Sequence, residues 1–460
     1  MSPDELRKIG LSLSRSIQTR LQEILANEFP TDAPQRLGQI IIGIVQALIS
    51  TIKSNDDERI LKFACGCLQE IGSHLRYIEG ASSPRVPVSI VIPIEMLIRQ
   101  MEPQARVMVR VQSSYNYEIF NIIDFYKQML GQFLGQTFGQ ILGGTSHLFV
   151  VAVPSVEHSN ILLHAILSHE AGHRIASKYL ETEDQQELIK HINLLIGDDL
   201  AWWDPEIKSK GPLWEFQLRQ RIFKLIHQAR TCALQELISD AVSYHLCGVS
   251  VLFALDEFSS SSDVLDTLPD PGSGSGFYPP WRYRIRQLIT IAYSEGLPDA
   301  IGRIAGPSPT SLIIERSLRR LERLKAAADD RADCLKIEAD PFLEKVYRDI
   351  PLAMEKSLLF VQKELSRFKY TNDKLKEELP QLLERISLGM PPDSLGERGP
   401  DIRSALAAGW LYRTARLKVP NDDVQTWEPA DDEILNRLVL KAIESIQLLR
   451  EFRKAGYGRA

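Results

Sequence analysis

The chain has 460 residues, 44% hydrophobic and 25% charged, with 54 Lys+Arg against 60 Asp+Glu for a formal charge of −6. This composition excludes disordered and fibrous classes and leaves room for roughly three structural units. A slightly acidic balance is the wrong sign for a phosphate-backbone binder, so no nucleic-acid partner is expected.

At the N-terminus, charges are scattered through what a secretory leader would need as its apolar core. Leu6, Ile9, Leu13, Ile17 and Leu21 keep a helical period, and residues 1–80 read as a helical N-terminal region. The apolar run from Leu37 to Ile52 is interrupted by Gln39 and Gln46 and is short for a bilayer, so no membrane span is expected. Cys65 and Cys67 lack a partner pair and read as buried thiols. With Cys232, Cys247 and Cys334 they make an odd, irregular set, which points to a reducing, cytoplasmic setting. Three Val/Ile-rich runs, 85–92, 105–112 and 147–153, predict the strands of one small sheet, with a helix around 118–134 between the last two.

Ser159 or Asn160 is the expected N-cap of a helix reaching about Leu180. Trp202 and Trp203 read as core or cleft wall. A second long helix should contain residues 229–247 and stop at Gly248. Residues 259–277 are rich in Ser, Gly and Pro without periodicity and predict a mobile loop. Helical patterns recur at 287–293, 311–328 and 352–369, the last opening after Pro351, and Arg316, Arg319, Arg320 and Arg323 mark a solvated face. Pro391, Pro392 and residues 396–400 break the chain before the final helices. The expected fold class is α+β and predominantly helical, with a small sheet packed on an active-site helix and helical regions at both ends. Its divisions fall at 1–80, 81–300 and 301–460.

The sharpest chemical signal is His169-Glu170-Ala171-Gly172-His173, an H-E-x-x-H pattern inside a predicted helix. Spacing i, i+4 puts both imidazoles on one stripe, where they can share one Zn²⁺ with Glu170 beside them. A catalytic zinc needs a third protein ligand and an open fourth position. Glu236 and Asp240, also i, i+4 in a predicted helix, supply two carboxylates facing one way: one to ligate, one to accept an imidazole N–H. His164 lies off the ligand stripe and reads as an ordinary helix histidine.

These residues resemble the gluzincin zinc metallopeptidases, whose third ligand is a glutamate followed four residues later by an aspartate, often as N-E-x-x-S-D. Here Gln235 stands at the Asn position, and Glu236, Ser239 and Asp240 match. The resemblance implies zinc ligands His169, His173 and Glu236, one ion per chain, Glu170 as general base and Asp240 as the supporting carboxylate. Tyr278-Pro279-Pro280-Trp281-Arg282-Tyr283-Arg284-Ile285 is similar to the H-P-P-x-x-x-R-I segment of the CAAX-prenyl and heat-shock membrane peptidases and their soluble relatives. Tyr278 replaces the histidine, and a phenol can still donate to an oxyanion. Tyr244 and His245 compete for that role, and Arg284 is either structural or substrate-facing. The resemblance covers about residues 145–290. It implies a zincin-like domain within 81–300, an endopeptidase acting on a protein or peptide substrate, and a substrate strand added beside residues 147–153. The rival expectation is a catalytically silent zinc-containing scaffold that acts through its helical flanks.

Overall fold

A computed structural model of the chain describes residues 1–260, 277–304, 308–395, 399–416 and 429–455. Positions 261–276 of the expected loop lie outside the described residues, as do 396–398 of the Pro/Gly break. The fold is α+β and predominantly helical, as expected, and it divides into two compact units, Met1–Asn160 and Ile161–Ala460.

The first unit begins with three helices, α1 (Pro3–Leu25), α2 (Ala33–Ser54) and α3 (Glu58–Glu79). A capping box opens α1: the Glu5 N–H donates to Ser2 Oγ, and the Ser2 N–H donates to the Glu5 carboxylate at 2.7 Å. Helix α2 is the one described helix long and apolar enough to cross a membrane by length and composition. In this fold it forms the middle of the core, with Leu37, Ile40, Ile41, Ile44, Val45, Leu48 and Ile52 fully buried. Each such side chain contributes about 1.5–3 kcal/mol.

Then follow α4 (Val88–Met101), β1 (Arg106–Gln112), β2 (Glu118–Asn121), α5 (Ile122–Leu134), α6 (Gln136–Leu142) and β3 (Leu148–Pro154). Two expectations need correction. The 85–92 run, expected as a strand, opens α4 instead. Its β-branched composition hid a helical period that buries Ile90, Val91, Ile94, Leu97 and Ile98 and pairs Arg99 with Glu95 one turn earlier at 2.8 Å. The helix expected from about 118 starts at Ile122, because the four residues before it pair with β3. The sheet order is β1-β3-β2, with β1 parallel to β3 (Arg106 opposite Leu148, Gln112 opposite Pro154) and β2 antiparallel (Glu118 opposite Ala152, Asn121 opposite Phe149). Strand β3 is therefore central and wholly buried. Both its edges are occupied across Phe149–Ala152, so it cannot receive an added peptide strand there, contrary to expectation.

The second unit is helical: α7 (Leu167–Glu181), α8 (Gln185–Ile196), α9 (Ile207–Lys210), α10 (Pro212–Cys247), α11 (Val249–Ser260), α12 (Trp281–Ser294), α13 (Leu297–Gly302), α14 (Ser308–Asp329), α15 (Ala332–Ala339), α16 (Pro341–Glu364), α17 (Asn372–Ser387), α18 (Ile402–Arg416) and α19 (Pro429–Lys454). Helix α7 begins after a 3₁₀ turn over Leu163–Ile166, not at Ser159 or Asn160, and has no side-chain cap. Helix α10 ends at Gly248 as expected; φ there is +59°, and a Cβ would lie 2.8 Å from the Tyr370 ring. Helix α16 starts eleven residues before the expected opening and runs through Pro351, since Asp340 caps its first turn by accepting from the Phe342 and Leu343 N–H groups.

Helices α7 and α10 run antiparallel in contact. The rungs pair His169 with Asp240, His173 with Ser239 and Ser177 with Gln235, and just past the end of α7 Glu183 pairs with Arg230. Gly172 makes the approach possible: a Cβ there would lie 2.8 Å from the Ser239 carbonyl oxygen and 2.9 Å from its Cα. Backbone atoms cannot rotate aside. Gly172→Ala should therefore cost about 1–3 kcal/mol and weaken any metal held across the two helices. A urea melt and a zinc titration check this; unchanged values in both would mean the contact is not tight.

Candidate metal centre

Every candidate site residue lies in the second unit. Helix α7 carries His169, Glu170 and His173, the buried half of α10 carries Glu236 and Asp240, and the first turn of α12 carries Arg284. Ligand atoms of His169, Glu170 and His173 all lie within 4.8 Å of one another. Glu236 joins them from α10: its Oε2 is 3.3 Å from His169 Nε2 and its Oε1 3.7 Å from His173 Nε2. Two ligand atoms on a tetrahedral zinc with bonds of about 2.1 Å sit about 3.4 Å apart, so these separations and the N, N, O donor set fit one zinc ion.

Asp240 stands behind His169, with Oδ1 2.8 Å from Nδ1. Arg284 closes the cluster. Its Nε and Nη2 donate to the two Asp240 oxygens at 2.9 and 2.8 Å, and its Nη1 lies 2.9 Å from Glu236 Oε2. The guanidinium rests on the Trp281 ring, 4.1 Å from its centroid. Its position fixes Arg284 as a charge partner of Glu236 and Asp240.

Charge follows from this packing. Burial works to lower the His169 pKa, but the charge and hydrogen bond of Asp240, with the Glu236 contact, raise it to about 9. Burial and the charge of His169 lower His173 to about 4. Burial works to raise the Glu236 and Asp240 carboxyls, yet Arg284 and the histidines hold both below the usual range. At neutral pH two cations, Arg284 and His169, thus face the two carboxylates of Glu236 and Asp240.

A metal needs the lone pair on His169 Nε2, so uptake must displace a proton. Zinc binding at pH 7 should therefore release about one proton per chain, and affinity should rise with pH until it levels above about 9. Calorimetry in two buffers of different ionisation enthalpy measures this; binding without proton release would contradict the charge assignment.

Tyr278 is 56% exposed at the edge of the cluster. Its phenol pKa is raised by burial first, then by Glu236, Cys232 and Glu170, so it remains a donor at neutral pH. Of its competitors, Tyr244 is buried, and His245 Nε2 lies 3.1 Å from Glu295. His164 is buried in the 3₁₀ turn, Cys65 and Cys67 are buried thiols, and all five cysteines are free. Trp202 and Trp203 stack edge to face, with Trp203 against Phe342. The face expected to be solvated on α14 is partly tied down, as Arg320 pairs with Asp256 and Arg316 donates to the Ala415 carbonyl.

Sequence reasoning missed the Trp281 platform and Cys232. The latter falls on the Glu236/Asp240 stripe one turn earlier, where burial and then the Glu236 charge raise its thiol pKa and keep it a neutral thiol. The i, i+4 series 232, 236, 240 was the available signal. Comparison of the chain with protein-family models, curated proteins and solved structures finds no match.

Proposed function

We propose that the chain is a zinc-dependent endopeptidase of gluzincin type that hydrolyses a protein or peptide substrate. The observation that carries this reading is the placement of Glu236, distant in sequence, within 3.3 and 3.7 Å of the two imidazoles of the H-E-x-x-H helix. His169, His173 and Glu236 would hold the ion. Zinc held there would activate water as a nucleophile at neutral pH and polarise the scissile carbonyl. The Glu170 carboxylate takes the proton from the attacking water and returns it to the leaving amine. The Tyr278 hydroxyl donates to the developing oxyanion from the rim. Asp240 holds His169 by accepting from Nδ1, and Arg284 balances both α10 carboxylates.

A half-buried Glu170 beside the two imidazoles supports hydrolysis over a closed structural zinc, which has no use for a base. The test is to expose a proteome to the wild type and to Glu170→Gln and compare new termini. Cleavages made by the wild type and absent with the variant are expected; identical termini from both would overturn the reading.

A further inference from the structure

We propose that Ser239 is a positioning residue that sets the tautomer of His173 and aims its Nε2 lone pair into the metal site. Ser239 is fully buried on α10, facing α7. Its hydroxyl has one hydrogen and two lone pairs. The hydrogen is committed, because Oγ donates to the Gln235 carbonyl one turn back at 2.6 Å, the usual back-bond of a helical serine. What Ser239 Oγ presents to His173 Nδ1, 3.1 Å away, is therefore a lone pair. Only an imidazole with its N–H on Nδ1 can donate to that lone pair, so the contact selects the neutral tautomer protonated at Nδ1. Nε2 is left unprotonated, on the side where Glu236 Oε1 lies.

His169 reaches the same orientation by another route, its Nδ1 facing the Asp240 carboxylate. The two imidazoles thus use different acceptors for one purpose, a carboxylate for His169 and a serine hydroxyl locked by its own helix for His173. The Gly172 contact is what holds Ser239 within reach: the backbone of residue 239 packs directly on α7, one residue before His173. One turn further along, Gln235 Nε2 donates to Ser177 Oγ at 3.3 Å and fixes the same register.

The inference rests on reading His173 as a ligand, but the tautomer is measurable without metal. Long-range ¹H–¹⁵N NMR of the metal-free full-length protein at pH 7, with His173 assigned by its loss in His173→Gln, should show a proton on Nδ1 and a bare Nε2. Ser239→Ala should mix the tautomers and weaken zinc binding by roughly 10–100-fold, and Ser239→Thr, which keeps the hydroxyl, should restore both. A wild type carrying its proton on Nε2, or a folded Ser239→Ala with unchanged tautomer and zinc affinity, overturns the proposal. A wild type with the Nδ1–H tautomer that takes up no zinc upholds the role of Ser239 and overturns the peptidase reading instead.

Discussion

Replacing Arg284 with leucine is expected to destabilise the second unit by about 3–5 kcal/mol at pH 7, the range for stripping one partner from a buried ion pair. The loss is large because Arg284 is 6% exposed and serves two carboxylates that are themselves 6% and 1% exposed. Without it, Glu236 and Asp240 share one buried histidine cation. Lysine should recover only part of the loss, since it cannot reproduce the two-pronged contact with Asp240 together with the third contact to Glu236. The pH dependence has a definite sign. Asp240 is depressed in the folded protein, so its contribution is present above its unfolded value of 3.8 and is lost as pH falls through the lower folded value. The gap between wild type and Arg284→Leu should therefore narrow below about pH 4. Urea unfolding at pH 7 and pH 3.5 reads both effects; equal midpoints at pH 7 would show that the guanidinium is not the needed counter-charge.

Glu170→Gln should lower peptide turnover by roughly 10²–10⁴-fold, the usual contribution of a general base, while leaving fold and zinc content intact. The amide keeps the size of the carboxylate but cannot take the proton from water. This variant also separates two roles that the geometry places close together, because Glu170 offers an oxygen within 4.8 Å of the imidazole nitrogens. A base loses turnover and keeps zinc, whereas a ligand loses zinc. Kinetics on a mapped cleavage site and metal analysis of the same preparation distinguish them, and full activity in the variant would contradict the mechanism.

The parts of this site legible in the sequence are those governed by helical period alone. His169/His173 and Glu236/Asp240 are i, i+4 pairs, and any helix through them must put each pair on one face. That the two faces meet was expected only from the gluzincin resemblance and not from the period, since it depends on Gly172 meeting the Ser239 backbone, a tertiary contact with no periodic trace. Ser239 was visible only as a matched letter, because its role needs the direction of one hydroxyl hydrogen. The start of α7 was misplaced because the helix is entered from a 3₁₀ turn and needs no polar cap. The 85–92 run was misread because β-branched residues suit a strand by propensity while its burial follows a helical stripe. The central place of β3 could not be read from its own residues, since it depends on β2, four residues hidden in a helical pattern. No added peptide strand can therefore pair with β3 along Phe149–Ala152.

The most direct measurement of the central claim is a zinc titration of the metal-free full-length protein, run in parallel on His169→Ala and Glu236→Ala. The wild type should bind one zinc per chain, and both variants should lose it, although their replaced residues lie on different helices. A wild type that takes up no zinc, or a Glu236→Ala protein that binds it as tightly as the wild type, would contradict the account.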